Sequence, residues 1–191
     1  MRIIAGVAKG RTLASVAGAT RPTSDRAREG LFSSLLSEFG DFLGLNFLDL
    51  FAGSGAIGLE ALSRGATLVH CVEKDERANR TISTNSELVM ASKPAGKFHL
   101  YAMSVQKFLE STAPTNYHII YLDPPYDFPD GDLYACLRFL HSGGFLRADV
   151  VVAVERASKR SAFEWPEGFE ALRERNYGQA VIYYAIPAQN G

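Results

Sequence analysis

At 191 residues, with 47% hydrophobic and 21% charged side chains and a formal net charge of −1, the chain suits one domain with a sizeable core and excludes a disordered or fibrous polymer. No apolar run approaches a membrane span, and Arg2 and Lys9 bracket only six uncharged residues, too few for a signal-peptide core, so the expected location is the cytoplasm. Cys71 and Cys136 have neither CxxC spacing nor a neighbouring His pair, which argues for two buried thiols and against a zinc site or a disulfide.

The near-neutral average hides a basic end. Residues 1–28 carry Arg2, Lys9, Arg11, Arg21, Arg26 and Arg28 against Asp25 alone, a run that reads either as a solvated face or as a polyanion contact. Within it, MRIIAGVAKGRTL (1–13) alternates weakly around Gly6 and Gly10, as a short β-hairpin does. In RPTSDRAREGLFSSLLSEFG, Thr23 or Ser24 is the candidate N-cap of a helix whose apolar stripe, Ala27, Leu31 and Leu35, ends at Gly40.

A strand–helix alternation follows. Strands are expected at 46–51, 67–73, 97–102, 117–122 and 149–155, and helices at 56–65, from Asp75 to about 89, at 105–109 and at 133–141. Such alternation argues for a parallel sheet covered on both faces. The tail differs: FEALRERNYGQAVIYYAI has two strand-like runs about Asn176-Tyr177-Gly178. So short a connection cannot cross over, so this pair is antiparallel. Only the first forty residues could form a separate module.

DLFAGSGAIGLEALSRGA (49–66) places Gly53, Gly55 and Gly58 in GxGxxG spacing after a strand and at the opening of a helix, and Glu73 ends the next strand twenty residues past Gly53. Glycines let a ligand approach the backbone, and the acid accepts from ribose hydroxyls. The alternative is a tight strand-to-helix turn with no ligand. Asp49 weighs between nucleoside ligands. A carboxylate beside a pyrophosphate is repelled, whereas S-adenosylmethionine has no phosphate and carries an ammonium and a sulfonium. Asp49 is therefore expected to favour that cofactor, directly or through water, over the second reading in which it caps the loop's own amides.

YLDPPYDF (121–128) leaves the fourth strand on an acid, two prolines and an aromatic ring. Ligands of an open parallel sheet sit beyond the carboxyl ends of its strands, where the strand order reverses, so Asp123 should face the crevice that holds Gly53 and Gly55. Pro124 and Pro125 remove two amide donors and fix φ, leaving carbonyls as acceptors. An acceptor-only cluster suits an exocyclic amino group of a nucleobase. Hydrogen bonds from both N–H groups to Asp123 and Pro124 would aim the nitrogen lone pair at a methyl group, and Tyr126 would stack on the base.

With these residues assembled, the chain resembles the class I S-adenosylmethionine-dependent methyltransferases of the amino-methylating branch. It is most similar to the RsmD family, which methylates guanine N2 in 16S ribosomal RNA. The resemblance rests on MRIIAGVAKGRTL, RPTSDRAREGLF, LDLFAGSGAIGLEALSRGA, LDPPY and RNYGQAVIYY, and so spans nearly the whole chain. It implies a Rossmann-like, seven-stranded, mostly parallel sheet with an antiparallel C-terminal strand, helices on both faces and a small N-terminal hairpin extension. Residues 1–40 would be the basic, RNA-contacting extension and 41–191 the cofactor-binding methyltransferase domain.

The same resemblance implies an S-adenosylmethionine site at Asp49, Phe51, Ala52, Gly53, Ser54, Gly55, Gly58, Glu73, Lys74, Met103 and Ser104. The target amine would lie against Asp123, Pro124, Pro125 and Tyr126, and RNA phosphates against Arg2, Lys9, Arg11, Arg21, Thr23, Arg26 and Arg28. No metal and no membrane are expected, and the protein should be a monomer acting on the small ribosomal subunit or its assembly intermediate. One departure is Ser104, in YAMSVQKFL, where many members have Asp or Asn to receive the adenine amino group; backbone near Met103 is the alternative. Three other readings compete. A DNA adenine or cytosine amino-methyltransferase lacks room here for a target-recognition domain. A nicotinamide-dependent oxidoreductase has no task for Asp49 or DPPY, and a non-catalytic RNA-binding protein would not need DPPY.

Overall fold

The computed structural model describes residues 1–16, 25–159 and 163–188. Arg21, Thr23 and the candidate cap at Thr23 or Ser24 lie outside them. In chain order the elements are α1 (Asp25–Phe39), β1 (Asn46–Leu50), α2 (Ala56–Ser63), β2 (Leu68–Glu73), α3 (Glu76–Met90), β3 (Lys97–Ala102), α4 (Val105–Leu109), β4 (Tyr117–Leu122), α5 (Asp130–Ser142), β5 (Leu146–Ala157), β6 (Phe169–Asn176) and β7 (Ala180–Pro187). The strands form one seven-stranded sheet in the order β3-β2-β1-β4-β5-β7-β6. The first five run parallel, and β7 lies antiparallel to both β5 and β6, as the alternating body and the short Asn176–Gly178 connection predict.

Alternation along the strands divides the core between two faces. Phe47, Val69, Cys71, Ile119, Tyr121 and Ala153 pack with α1 and α2 residues on one side. Leu48, Leu50, Val72, Ile120, Leu122 and Val152 pack with α4 and α5 residues on the other. Strands buried on both faces explain the near-continuous apolar runs in the sequence. Asp75 caps α3 as expected, accepting from the Arg77 and Ala78 amides at 2.9 Å each. Helix α5 starts earlier than its apolar stripe suggests, at Asp130, because its first turn is acidic and exposed.

The N-terminal segment departs from a regular hairpin. It makes a single antiparallel bridge, Arg2 to Thr12, and its intervening loop is pressed onto α2. Buried Glu60 accepts from the Ile4 and Ala5 amides at 2.7 and 3.0 Å, and Ser63 Oγ accepts from Ala8 N–H at 3.0 Å while donating to the Ala5 carbonyl at 2.6 Å. Gly6 has φ +82°, and a Cβ there would stand 1.8 Å from the Ser63 carbonyl oxygen. Ile3, Ala8, Leu13, Leu31 and Phe32 join the same apolar cluster as the sheet. The described residues of this region, 1–16 and 25–40, therefore share a core with the sheet.

Candidate active site

Beyond the carboxyl ends of the parallel strands lies a cavity of about 840 Å³, in the range of small-molecule sites. Strand order reverses between β1 and β4, which are hydrogen-bonded neighbours. The cavity is lined from each loop in turn: Phe51 and Gly53 after β1, Glu73 and Lys74 at the end of β2, Ser104 after β3, and Asp123, Pro124, Pro125 and Tyr126 after β4. Nine of the sequence-predicted residues therefore meet in one place.

The β1–α2 loop is held in a shape that few residues adopt. Phe51 has φ 64° although it is not glycine, a strained conformation of the kind that clusters at ligand sites. Its ring meets Phe128 edge-on, with centroids 5.0 Å apart. Gly53 has φ +56°, and a Cβ placed on it would meet no atom within 4 Å, so its missing side chain leaves open space for a ligand. Its N–H donates to Glu73 Oε2 at 2.9 Å. The other oxygen, Oε1, accepts from the Lys74 and Asp75 amides at 2.8 and 2.9 Å. Glu73 is thus fixed at the cavity wall by three backbone donors, with one lone-pair position of Oε2 remaining for a ligand's hydroxyl.

Asp49 corrects the expectation made for it. The side chain is buried and does not line the cavity. It faces α2, where Oδ2 accepts the Gly58 N–H at 2.9 Å, which is the loop-bracing role rated second in the sequence. Burial pushes its acid up to about 8, opposed by the Gly58 amide and reinforced by the negative charges of Asp123 and Glu73. Gly58 serves packing: a Cβ there would lie 2.5 Å from Cys71 Sγ. Ala52, Ser54 and Gly55 also build the loop without lining the cavity. The Ala52 N–H joins Val72 at 3.1 Å, and Gly55 is the left-handed cap of α2.

Ser104 lines the cavity, but its Oγ accepts from Lys107 N–H at 3.2 Å and so caps α4. Met103 is a partly buried packing residue of the α4–α5 face and lies off the cavity wall. After β4, the Phe128 N–H donates to the Pro125 carbonyl at 2.9 Å, closing a turn that presents Tyr126 at the mouth, 53% exposed. A ring so exposed is available to a flat partner.

The basic segment divides. Arg2, Lys9, Arg11 and Arg26 are exposed, as a phosphate contact requires. Arg28 is a correction: it is fully buried, and its guanidinium donates to the Arg2 carbonyl at 2.7 Å and to Asp25 at 2.9 Å. Its place on the apolar stripe beside Ala27 and Leu31 turns it inward, so it ties the N-terminal segment to α1.

Sequence reasoning missed several residues. Asn85 is buried and binds the Ala14 N–H at 2.8 Å and the Ser54 carbonyl at 2.9 Å, joining the N-terminal segment to the glycine loop; nothing in its helical context marks it. Tyr177 lines the cavity and presses on α1, where a Cβ on Gly30 would lie 2.1 Å from its ring. Glu155 also lines the cavity and accepts from Tyr121 Oη at 2.6 Å. Its signal was legible, as the one acid in the apolar run VVVAVE. The histidines are structural: His70 pairs with Tyr117 Oη at 2.7 Å, His99 stands edge-on to Tyr101, and His118 accepts the Asn46 N–H at 2.9 Å. Trp165 packs against Phe163 and Phe169 before β6.

Comparison with known proteins agrees with this fold. The profile of the family described as conserved hypothetical protein 95 matches residues 1–186. YlbH of Bacillus subtilis, provisionally named an rRNA methyltransferase, is 35% identical over 183 residues, covering 93% of this chain and 94% of that protein. Ribosomal RNA small subunit methyltransferase D of Escherichia coli K12 is 33% identical over 182 residues, covering 95% and 87%. The solved structure of yhhF from Escherichia coli, provisionally named a methyltransferase, superposes with a TM-score of 0.82 at 33% identity, over 99% of both chains.

Proposed function

This chain belongs to the RsmD family, conserved hypothetical protein 95, and on that premise we propose that it transfers a methyl group from S-adenosylmethionine to the exocyclic N2 of a guanine in 16S ribosomal RNA. The observation that carries the reading is the meeting of Gly53, Glu73 and Asp123 on one cavity wall at the strand-order reversal. The residues present fit the cofactor: open space above Gly53 and a braced carboxylate at Glu73 for a ribose hydroxyl. When bound, S-adenosylmethionine supplies an activated methyl group on a sulfonium that leaves with the C–S electron pair.

Asp123 and the Pro124 carbonyl would accept the two N2–H bonds and so orient the nitrogen lone pair, and the Asp123 carboxylate would take the proton that N2 sheds on methylation. Tyr126 stacks on the extruded base, a contact worth roughly 1–3 kcal/mol, and orientation supplies most of the acceleration. The RNA is held as part of the small subunit or its assembly intermediate, in the cytoplasm, by a monomer. Among the described residues no helix is long and apolar enough to cross a membrane.

Incubation with tritiated S-adenosylmethionine and unmodified small-subunit particles, followed by mapping of the label, tests the reading. Label on guanine N2 of 16S RNA is expected. Label on no RNA would overturn it, and label on adenine N6 or cytosine N4 would replace the base.

A further inference from the structure

We infer that Tyr177 is a substrate-contacting residue, the second aromatic wall of the target-base pocket, covering the face of the guanine that Tyr126 leaves open. The inference rests on the proposed reaction and adds to it a residue from the far end of the chain. The β6–β7 turn stands past the carboxyl end of β5, where Ala157 pairs with Ala180, and both Tyr177 and Ala180 line the cavity. The two tyrosines reach it from opposite layers. Tyr177 packs with the cluster that joins α1 and α2 to the sheet, whereas the turn carrying Tyr126 runs into Phe128, which packs on the α4–α5 side. A flat ring entering between them meets an aromatic side chain from either layer.

The Tyr177 ring is set in place before RNA arrives. Its N–H donates to the Ala180 carbonyl at 2.7 Å, and Asn176 Oδ1 accepts the Gly178 N–H at 2.8 Å, which fixes the turn. On α1, a Cβ added to Gly30 would lie 2.1 Å from Tyr177 Cε1, so the ring rests on bare helix backbone. Glycine within a helix is unfavourable, and packing alone would be served by a smaller apolar side chain above an alanine. A glycine inside α1 beneath a half-buried aromatic at the cavity wall indicates that the position of this ring is what the fold maintains. The chemistry that position serves is stacking, since every nucleobase has a π-face and a ring already held in place loses little freedom on binding.

The test uses substrate RNA ligated to carry either guanine or 6-thioguanine at the labelled position. The analogue keeps the N2 amine and N1–H, and near-ultraviolet light crosslinks it to a side chain stacked on it. Mass spectrometry of the wild-type protein should find the crosslink on the Tyr177 peptide as well as on that of Tyr126. Tyr177→Leu, which keeps an apolar contact with Gly30, should raise KM for guanine RNA about tenfold, within the range for one lost base–aromatic stack, while the S-adenosylhomocysteine thermal shift is kept. Tyr177→Phe restores the ring and should recover most of that loss. Gly30→Ala, which displaces the ring without altering residue 177, should raise KM in the same direction and serves if Tyr177→Leu does not fold. A crosslink confined to Tyr126, a KM unchanged in Tyr177→Leu or Gly30→Ala, or a loss in Tyr177→Phe as large as in Tyr177→Leu would overturn the inference alone. Wild-type protein that labels no guanine would overturn the proposed function with it.

Discussion

At the scale of single residues, two aspartates that look alike in sequence have opposite surroundings. Asp123 stands on the cavity wall, and Asp49 is sealed beneath it on the Gly58 amide. Asp123→Ala should lower methyl transfer by about 10³-fold, within the range for a removed acid–base group, and leave the S-adenosylhomocysteine thermal shift intact. Equal loss of both would show that Asp123 holds cofactor rather than amine. Asp49 makes a different prediction, on stability. Its acid lies at about 8 in the fold against 3.8 for the model compound. Between those values the unfolded chain has lost the proton and the folded chain keeps it, so stability falls as pH rises from about 4 to about 8 and then levels. Asp49→Asn, which can still accept the Gly58 N–H, has no proton to lose. Its Tm relative to wild type should improve steadily from pH 5 to pH 8, and a gap constant across that window would contradict the burial. Sequence spacing placed both acids at strand ends but could not orient them. A side chain at the last turn of a strand points up or inward according to the helix packed below, and that helix is a long-range partner.

At the scale of elements, the period-two and period-3.6 patterns identified each strand and helix of the body, because runs such as VVVAV and LVHCV have few alternatives once Gly and Asp punctuate them. The N-terminal segment was less legible, since its structure is borrowed. Five of its residues, Ile3, Ala8, Leu13, Ile4 and Ala5, are held by apolar contact or by Glu60 and Ser63 of α2, and no local pattern encodes a loop whose partners lie some fifty-five residues away. Gly6 is where the docking is most exacting. Gly6→Ala imposes a side chain at φ +82° and drives it into the Ser63 backbone. It should undock residues 1–14, raising their amide exchange while strands β1 and β4 stay protected, and lower stability by about 2–4 kcal/mol, as large values from strain and overpacking do. Unchanged exchange in 1–14 would mean that α2 yields instead.

At the scale of the whole molecule, a chain of net charge −1 must meet a polyanion with one region rather than with its average. The fold shows how that region is attached. The N-terminal segment reaches Ala14, which Asn85 joins to Ser54 of the glycine loop, and α1 presses Gly30 on Tyr177 at the cavity wall. Exposed Arg2, Lys9, Arg11 and Arg26 therefore sit on elements braced directly to the site, so phosphates held there would set the register of a base entering the cavity. Phosphate contacts of this kind appear in the salt dependence, because each releases about 0.7 of a counterion from single-stranded RNA. Changing Arg2, Lys9 and Arg11 together to Gln should reduce the slope of log K against log salt by about 2 and weaken binding of all RNA sequences alike. Arg28→Gln should leave that slope unchanged and lower Tm instead, because the guanidinium is buried against the Arg2 carbonyl and Asp25. Filter binding over a salt series, run beside thermal unfolding, separates the two. A slope that falls with Arg28→Gln, or stays constant in the triple variant, would move the RNA contact away from this segment.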